Sequence, residues 1–312
     1  MTHKRTLNGH VAAITGAARG IGKATAQACA REGMAVAIGD IDLEQAEKTA
    51  TEIGNGAIAL KLDVTDRASF ASFLDTTEAR LGPLDVLVNN AGIMLVGPPT
   101  WEEADDKVQR QIAINVNGVL HGIKEAVPRF RARGTGHLVN IASGAGKIGF
   151  AGGATYCGSK HFVVGVSEVL RSELRDSGVD VSCVMPAIVN TELASGYRPL
   201  LGVRTVQPED VAHAIVRALQ RPRFDVYVPA ELTVLSRARA LMPQRGYEAI
   251  LRITKLDQVL TNVDHAARVA YETRATKMSP RLPCSAGTWG PQMVPNYESS
   301  RLDASCLIAG QT

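Results

Sequence analysis

Hydrophobic positions between residues 10 and 229 follow two patterns, short apolar runs and longer stretches with a helical period. The apolar runs are rich in valine, isoleucine and alanine, as expected of strands buried on both faces of a parallel sheet. We predict strands at 10–15, 34–40, 57–64, 84–91, 136–143, 179–186 and 224–229. We predict helices at 20–32, 43–53, 66–81, 104–132, 157–177 and 208–220. This alternation predicts an α/β fold, a doubly wound parallel sheet of seven strands covered by helices on both faces.

The pattern changes after residue 230. Residues 231–275 keep a helical period with basic residues among apolar positions, which predicts an amphipathic helical extension. We expect the basic residues, Arg268 and Arg274 among them, on the solvated face of a helix that packs on the domain or on a second subunit; a membrane-surface or lid role is the alternative. Residues 279–312 have no period and predict an irregular or disordered tail. The predicted boundaries are a main domain at 1–230, the extension at 231–278 and the tail at 279–312.

Composition limits the class of protein. The chain has 312 residues, 45% of them hydrophobic, and a net charge of +3, which allows a large core and does not indicate nucleic-acid binding. No apolar stretch is long enough for a spanning helix, so we expect no integral membrane segment. The five cysteines are scattered and never spaced as CxxC, so we expect neither disulfides nor a metal site, and a cytoplasmic location.

A glycine-rich stretch, Thr15 to Gly22 (TGAARGIG), joins the first strand to the first helix. A diphosphate must approach the backbone closely at a helix N-terminus, and only glycine leaves that room. Asp40 follows 18 residues after Gly22, at the end of the second strand, where a carboxylate can bond ribose hydroxyls and repel the extra phosphate of NADP. Arg19 could pair with that phosphate, but Ile41 follows Asp40 where a basic residue would help. The cofactor prediction is therefore NAD, with NADP as the weaker alternative.

Two further strand ends carry small polar residues. Asp63 and Val64 close the third strand, and Asn89, Ala91 and Gly92 belong to the segment that closes the fourth. Ligands of open parallel sheets collect outside the carboxyl ends of the strands. We therefore expect these residues to lie along the nucleotide.

Tyr156 and Lys160 are four residues apart at the start of a helical pattern and so project from one helix face. A phenol has a pKa of about 10 in water and is a poor base at neutral pH, but a nearby ammonium stabilises the phenolate. The spacing alone is common on solvated helices. Its weight comes from Ser143 at the end of the fifth strand and from the glycine loop upstream, which together predict a site of proton transfer.

Asn115 lies among apolar positions of the long helix pattern at 104–132. A buried amide needs hydrogen-bond partners, so Asn115 is either bonded structurally or part of a water relay to Lys160.

On these motifs, TGAARGIG at 15–22, NNAG at 89–92, Asn115, Ser143 and the Tyr156/Lys160 pair, the chain resembles the short-chain dehydrogenase/reductase family over residues 8–229. The resemblance implies a Rossmann-type domain with Asn115, Ser143, Tyr156 and Lys160 as catalytic tetrad. It assigns acid/base chemistry to Tyr156, the substrate oxygen to Ser143 and the nicotinamide ribose to Lys160. The predicted cofactor contacts are Gly16, Arg19, Gly20, Ile21, Gly22, Asp40, Ile41, Asp63, Val64, Asn89, Ala91, Gly92, Tyr156, Lys160, Ile188 and Thr191.

The segment after the sixth strand departs from the family pattern. The family has Pro-Gly there, whereas this chain has Pro186-Ala187. The added methyl group of Ala187 carries strain if the position needs a positive φ. Ile188 and Thr191 still match the residues that the resemblance assigns to the nicotinamide carboxamide, so we expect altered contact and retained function.

The resulting hypothesis is an oxidoreductase that interconverts a small lipophilic secondary alcohol and its ketone with NAD(H). Two segments, 144–153 and 192–207, would line an apolar pocket and close over it; the second includes Leu193, Tyr197, Leu200, Leu201 and Val203. One alternative is a 3-oxoacyl thioester reductase using NADPH, which Asp40 disfavours. The other is a nucleotide-binding sensor or scaffold without catalysis. The resemblance also implies a homodimer or homotetramer through the helices at 104–132 and 157–177.

Overall fold

Seven parallel strands form one sheet in the order β3-β2-β1-β4-β5-β6-β7. The computed structural model describes residues 4–197, 205–233, 242–254, 260–261 and 263–277. The strands are β1 (Val11–Thr15), β2 (Ala35–Asp40), β3 (Ile58–Lys61), β4 (Leu84–Asn89), β5 (Gly136–Ile141), β6 (Val179–Pro186) and β7 (Asp225–Val228). The order reverses between β1 and β4, and a crevice for a ligand is expected outside their carboxyl ends. The predicted doubly wound fold is confirmed.

Helices cover both faces of the sheet. They are α1 (Gly20–Arg31), α2 (Leu43–Ile53), α3 (Arg67–Leu81), α4 (Asp105–Ile112), α5 (Gly118–Arg133), α6 (Ala154–Glu173), α7 (Pro208–Gln220), α8 (Gln244–Thr254) and α9 (His265–Lys277). One buried cluster joins α1, α2 and α7 to the sheet. A second cluster joins α3, α5 and α6 to the opposite face. The residues of β5 are buried throughout, as a central parallel strand requires.

The helix predicted at 104–132 is interrupted. A π-helical turn at Ala113–Asn117 separates α4 from α5, and Asn115 lies within it. π-Helical turns insert one extra residue and often occur at functional sites. The hydrophobic period did not reveal this turn, because the apolar positions on either side stay close to a single face.

Helix α6 begins three residues earlier than the predicted start at 157. Gly153, which precedes it, offers no side chain that caps the helix, so the sequence gives no polar start signal. Tyr156 and Lys160 therefore lie on successive turns inside α6.

The extension contributes α8 and α9 in the described part of the chain. The expected solvated position is wrong for Arg268, whose side chain is 0% exposed because its guanidinium bonds backbone carbonyls of the main domain. The predicted domain boundaries stay predictions, and the tail at 279–312 lies outside the described residues. Within the residues that the structure describes, no helix combines the length and apolar character needed to cross a bilayer.

Phe130 tests the core beneath the site. It is fully buried in α5 against β4 and β5. Phe130→Ala should lower the free energy of unfolding by about 3–5 kcal/mol, because it leaves a cavity. Trp101→Ala, which removes an aromatic ring that is 84% exposed, should change it by only about 0.5 kcal/mol. Chemical denaturation at one protein concentration measures both, and equal losses would contradict this packing.

Candidate active site

A cavity of about 500 Å³ opens at the carboxyl edge of the sheet. It brings together Ser143 and these predicted cofactor contacts: Gly16, Arg19, Gly20, Ile21, Asp40, Ile41, Asp63, Val64, Ala91, Gly92, Tyr156, Lys160, Ile188 and Thr191. Gly22, Asn89 and Asn115 do not reach the wall of this cavity. Most of the predicted site therefore converges on one space, although its members come from seven segments of the chain.

The loop between β1 and α1 forms the floor of the cavity. Gly16 and Gly20 have φ values of +62° and +55°, in the left-handed region that favours glycine. Helix α1 starts at Gly20, and no side chain hydrogen-bonds its N-terminus. The free N–H groups and the helix dipole therefore face the cavity, which suits an anionic group.

Gly22 and Asn90 hold this loop in place. The Nδ2 atom of Asn90 donates to the carbonyls of Thr15 and Gly16, both at 2.9 Å. A Cβ atom on Gly22 would lie 2.6 Å from that Nδ2 and 2.7 Å from the Cα of Ala17. Gly22 thus supports the loop from behind, without contact with the cavity.

Asn90 lines the cavity, whereas its neighbour Asn89 points into the core. The Nδ2 of Asn89 donates to Oδ1 of Asn140 on β5 at 2.9 Å. The site prediction included Asn89 and omitted Asn90. The alternation of side chains along β4 could have distinguished the two, since successive residues point to opposite sides.

Asp40 and Arg19 carry the charges nearest the second strand end. The Asp40 carboxylate accepts from the backbone N–H groups of Ala18 and Asp42, both at 3.0 Å, and burial raises its pKa. Each oxygen keeps a second acceptor site, because a carboxylate offers about four in all. Arg19 is paired with Asp42 at 2.7 Å. The guanidinium that could attract a further phosphate is thus partly neutralised by this neighbouring acid.

Tyr156 and Ser143 meet at the inner end of the cavity. Ser143 follows β5, and its Oγ accepts from the N–H of Ala145 at 3.1 Å. Tyr156 is buried, and this burial raises the pKa of its phenol to about 12, while the hydroxyl of Ser143 favours a lower pKa. In this environment the phenol holds its proton at neutral pH.

Lys160 lies one turn further along α6 and is also buried. Its Nζ donates to the carbonyl of Ile141 at 2.9 Å and lies 6.0 Å from the centre of the Tyr156 ring. Burial lowers the pKa of this ammonium to about 8. A positive charge is therefore held close to the phenol at neutral pH, within a site of low polarity.

Asn115 connects α6 to the segment after β4. Its Oδ1 accepts from the N–H of Ile93 at 2.9 Å, and its Nδ2 donates to the carbonyl of Ile93 at 2.8 Å and to Oγ of Ser159 at 3.1 Å. Ser159 in turn donates to the carbonyl of Tyr156 at 2.7 Å. These bonds give Asn115 a structural function, and the predicted water relay to Lys160 stays a prediction.

The segment after β6 forms another part of the cavity wall. The N–H of Ala187 donates to the carbonyl of Val228 at 2.8 Å. Asn55 is the one non-glycine residue with positive φ in the described part of the chain, so Ala187 does not carry the strain that its methyl group could have caused. Thr191 lies over the glycine loop, since a Cβ on Gly20 would be 3.3 Å from its Cγ2.

The remaining wall, near Tyr156, is apolar. It includes Met94, Phe150, Leu193, Tyr197, Leu260 and Tyr271. The sequence predicted Leu193 and Tyr197, but Leu200, Leu201 and Val203 of the same stretch lie outside the described residues. Leu260 and Tyr271 come from the extension and were missed, because no motif connects them to Tyr156.

Comparisons with a family model and with known proteins both find similarity to dehydrogenases. Residues 10–200 match a family model described as short chain dehydrogenase. The chain is 42% identical over 188 residues to a sorbitol dehydrogenase of Cereibacter sphaeroides, covering 60% of this chain and 73% of the relative. It is 34% identical over 218 residues to a cyclohexanol dehydrogenase of Acinetobacter sp. strain SE19, covering 67% and 87%.

A longer relative and a solved structure extend this comparison. Glycine betaine reductase ATRR of Emericella nidulans is 36% identical over 231 residues, which are 70% of this chain but 18% of the relative. A crystal structure of a short chain dehydrogenase/reductase from Burkholderia phymatum in complex with NAD gives a TM-score of 0.69 at 27% identity. That match covers 75% of this chain and 93% of the other.

Gly22→Ala tests whether the loop forms the nucleotide site. The new methyl group must displace Asn90 or the backbone of Ala17. NADH binding should weaken by about tenfold or more, since a cost of about 1.4 kcal/mol already changes a dissociation constant tenfold. Fluorescence titration with NADH measures this effect. Gly158→Ala in α6, where a Cβ has open space, is the control. Equal affinities of the two variants would contradict the assignment.

Proposed function

This chain belongs to the short chain dehydrogenase family and is an oxidoreductase that acts on CH–OH groups, and we propose that it interconverts a lipophilic secondary alcohol and its ketone with NAD(H). In this proposal Tyr156 is the general acid and base. The observation that carries it is the buried phenol of Tyr156, which lines the same cavity as Ser143 and lies one helical turn from the buried ammonium of Lys160.

The residues of the cavity fit NAD(H). The uncapped N-terminus of α1 and the glycine loop suit the diphosphate, and Asp40 suits the adenosine ribose. Lys160 would hold the nicotinamide ribose, and Ile188 and Thr191 the carboxamide. When bound, the oxidised cofactor supplies a hydride acceptor and a positive charge. The Burkholderia phymatum neighbour, solved in complex with NAD, supports this assignment.

The charges beside the second strand end favour NAD over NADP. Asp40 places a carboxylate where the adenosine ribose would lie, and an added 2′-phosphate would meet its negative charge. Arg19 is the basic residue that could offset this repulsion. Its ion pair with Asp42 reduces the positive charge available to a phosphate.

Tyr156 performs the proton transfer in this mechanism. In oxidation its phenolate accepts the hydroxyl proton of the alcohol while the C–H hydride leaves, and in reduction the phenol returns a proton to the new alkoxide. Burial alone works against the phenolate, since it raises the pKa of Tyr156 to about 12. Nearby positive charge and hydrogen bonds must therefore lower that pKa when oxidation takes place.

Lys160 and Ser143 provide that help. The ammonium of Lys160 is one helical turn from the phenol and favours its ionised form. The hydroxyl of Ser143 lines the same cavity, favours the ionised form of the phenol and would bond the substrate oxygen. Asn115 holds the segment of Ile93 against α6 and so keeps this part of the cavity in place.

The apolar cavity wall around Tyr156 supports the proposal that the substrate is a lipophilic alcohol. Met94, Phe150, Leu193 and Leu260 offer methyl, aromatic and thioether surface, which binds hydrocarbon by excluding water. The cyclohexanol dehydrogenase relative acts on an alcohol of this kind, whereas the sorbitol dehydrogenase relative acts on a polyol. The apolar lining favours the first type.

Other expectations from the sequence stay predictions. The charge of Asp40 disfavours a 3-oxoacyl thioester reductase that uses NADPH. The homodimer or homotetramer would pair α4, α5 and α6 with their copies, and exposed Val169 on α6 is compatible with such an interface. The cytoplasmic location rests on the cysteine pattern alone.

Tyr156→Phe should lower kcat/KM for alcohol oxidation by about 10²–10⁴-fold, the usual contribution of a general acid or base. Binding of NADH should be retained, because the ring stays in place. Steady-state assays of NADH formation measure the loss. Tyr197→Phe removes a phenol hydroxyl from the same cavity and should stay active. If both variants oxidise alcohols at similar rates, Tyr156 is not the base.

Asp40→Asn should reduce the preference for NAD over NADP by about tenfold or more, measured as the ratio of the kcat/KM values for the two cofactors. The substitution removes an electrostatic repulsion of about 1–2 kcal/mol between the carboxylate and the 2′-phosphate. Asp42→Asn should reduce the same ratio by a smaller factor, because it frees Arg19 from its ion pair. Glu44→Gln, an exposed acid in the first turn of α2, is the matched control. A ratio that stays constant in both variants would contradict the charge argument.

A further inference from the structure

The helix α9 lies across two loops that border the cavity. We call residues 90–97 the β4 loop, residues 187–197 the β6 loop, and residues 260–261 with 263–277 the wall segment. The wall segment follows β7, beyond the residues 10–200 that match the family model. Its contacts with the two loops therefore involve a part of the chain that the family model does not describe.

Arg268 is the centre of these contacts. Its Nη1 donates to the carbonyls of Leu193 and Ser195, both at 3.0 Å, and its Nη2 donates to the carbonyl of Met94 at 2.7 Å. Its Nε lies 3.2 Å from a carboxylate oxygen of Glu272. One guanidinium thus joins the β4 loop, the β6 loop and α9.

Two aromatic rings enclose the same guanidinium. Tyr197 of the β6 loop and Tyr271 of α9 each have a ring centre 5.1 Å from its central carbon. The Arg268 side chain is fully buried, and a buried cation is costly unless its hydrogen bonds are satisfied. The planar, five-donor guanidinium can satisfy several carbonyls at once, which an ammonium on a lysine cannot do with the same geometry.

Further bonds hold the wall segment at both of its ends. The hydroxyl of Tyr271 accepts from the N–H of Met94 at 2.8 Å, and the N–H of Asp264 donates to the carbonyl of Gly196 at 3.0 Å. Arg274 is paired with Glu192 of the β6 loop. The β6 loop is therefore attached to α9 through these bonds.

The wall segment also reaches the proton-transfer site. Leu260 belongs to the buried cluster that contains Tyr156, Met94 and Cys157. A Cβ on Gly153, immediately before α6, would collide with Cδ1 of Leu260. Leu260, Tyr271, Arg274 and Ala275 line the same cavity as Ser143 and Tyr156. The surface that they offer is mostly apolar, and the charge of Arg274 is paired with Glu192.

We propose that the wall segment forms the outer wall of the substrate pocket and that Arg268 is the positioning residue that holds this wall and the β6 loop together. The occupant of this side of the pocket is the apolar body of a cyclic or branched secondary alcohol. The inference rests on the proposed function, because it concerns the alcohol that Tyr156 deprotonates. Bonds from Arg268 that restrain the β6 loop reduce the entropic cost of ordering that loop around a substrate and so favour tighter binding.

The test compares two alcohols in NAD-dependent oxidation, 2-propanol and the larger 4-tert-butylcyclohexanol. Arg268→Gln should lower the ratio of kcat/KM for the larger over the smaller alcohol by about tenfold, chiefly through KM, as pocket contacts typically do. Arg268→Lys should restore only part of the ratio, because an ammonium cannot reproduce the bonds to both loops. Val269→Ala, on α9 with a side chain that is 61% exposed, is the control and should keep the wild-type ratio.

Leu260→Ala keeps Arg268 and tests the wall if the arginine variants fail to fold. It should also lower the ratio by about tenfold, since it removes apolar contact with the larger alcohol. In the folded variants, a ratio of kcat/KM values equal to that of Val269→Ala would overturn the proposal. If the kcat/KM values for both alcohols fall by the same factor, the ratio is unchanged, and the segment only stabilises the fold.

A binding measurement separates this inference from the proposed function. On the Tyr156→Phe background with NADH present, calorimetric titration with 4-tert-butylcyclohexanone reads the pocket without turnover. Adding Arg268→Gln should raise the dissociation constant of the ketone by about tenfold. If wild-type protein oxidises neither alcohol but this binding change occurs, the function fails and the wall stands. If oxidation occurs and the dissociation constant is unchanged, the wall fails.

Discussion

The site depends on a positive charge held beside a buried phenol. Lys160 keeps its ammonium inside the protein by donating to the carbonyl of Ile141, and burial lowers its pKa to about 8, so most of the charge is retained at neutral pH. The same burial raises the pKa of Tyr156 to about 12. Both shifts disfavour the charged form of their group, so burial alone works against the Tyr156 phenolate. In the proposed mechanism, the phenol of Tyr156 gives up its proton when further positive charge enters the cavity, so its activity as a base follows cofactor binding.

The parallel sheet brings the necessary groups to one edge. Because every strand ends at the same edge, the glycine loop after β1, Asp40 after β2 and Ser143 after β5 share a cavity although they are far apart in sequence. Asn115 then joins α6 to the segment after β4 through a π-helical turn. Arg268 connects the loops after β4 and β6 by hydrogen bonds to their backbone carbonyls. The glycine loop and the strand ends thus form the part of the cavity proposed for the cofactor, and the wall segment adds Leu260 and Tyr271 to the apolar lining near Tyr156.

Features that depend on residues close together in the sequence were predicted, whereas features that depend on residues far apart in the sequence were not. The strands and the glycine loop depend on local apolar runs and on glycine, and their predicted positions agree with the structure within a few residues. The spacing of Ser143, Tyr156 and Lys160 in the sequence predicted this group, because β5 and α6 bring the three side chains to the same cavity. Arg268 was expected in solvent, because its burial depends on carbonyls more than 70 residues away in the chain. The choice between Asn89 and Asn90, by contrast, was open to prediction from the alternation of β4.

The most direct test of the central claim is a spectroscopic titration of Tyr156, read as the phenolate absorbance of wild-type protein minus that of Tyr156→Phe, with and without NAD⁺. Without NAD⁺ we expect no Tyr156 phenolate below about pH 10, since burial raises its pKa to about 12. With NAD⁺ bound, phenolate should be detectable below about pH 9, and Lys160→Met should reduce this change, because both positive charges stabilise the phenolate. A phenolate signal that begins at the same pH with and without NAD⁺ would contradict the account.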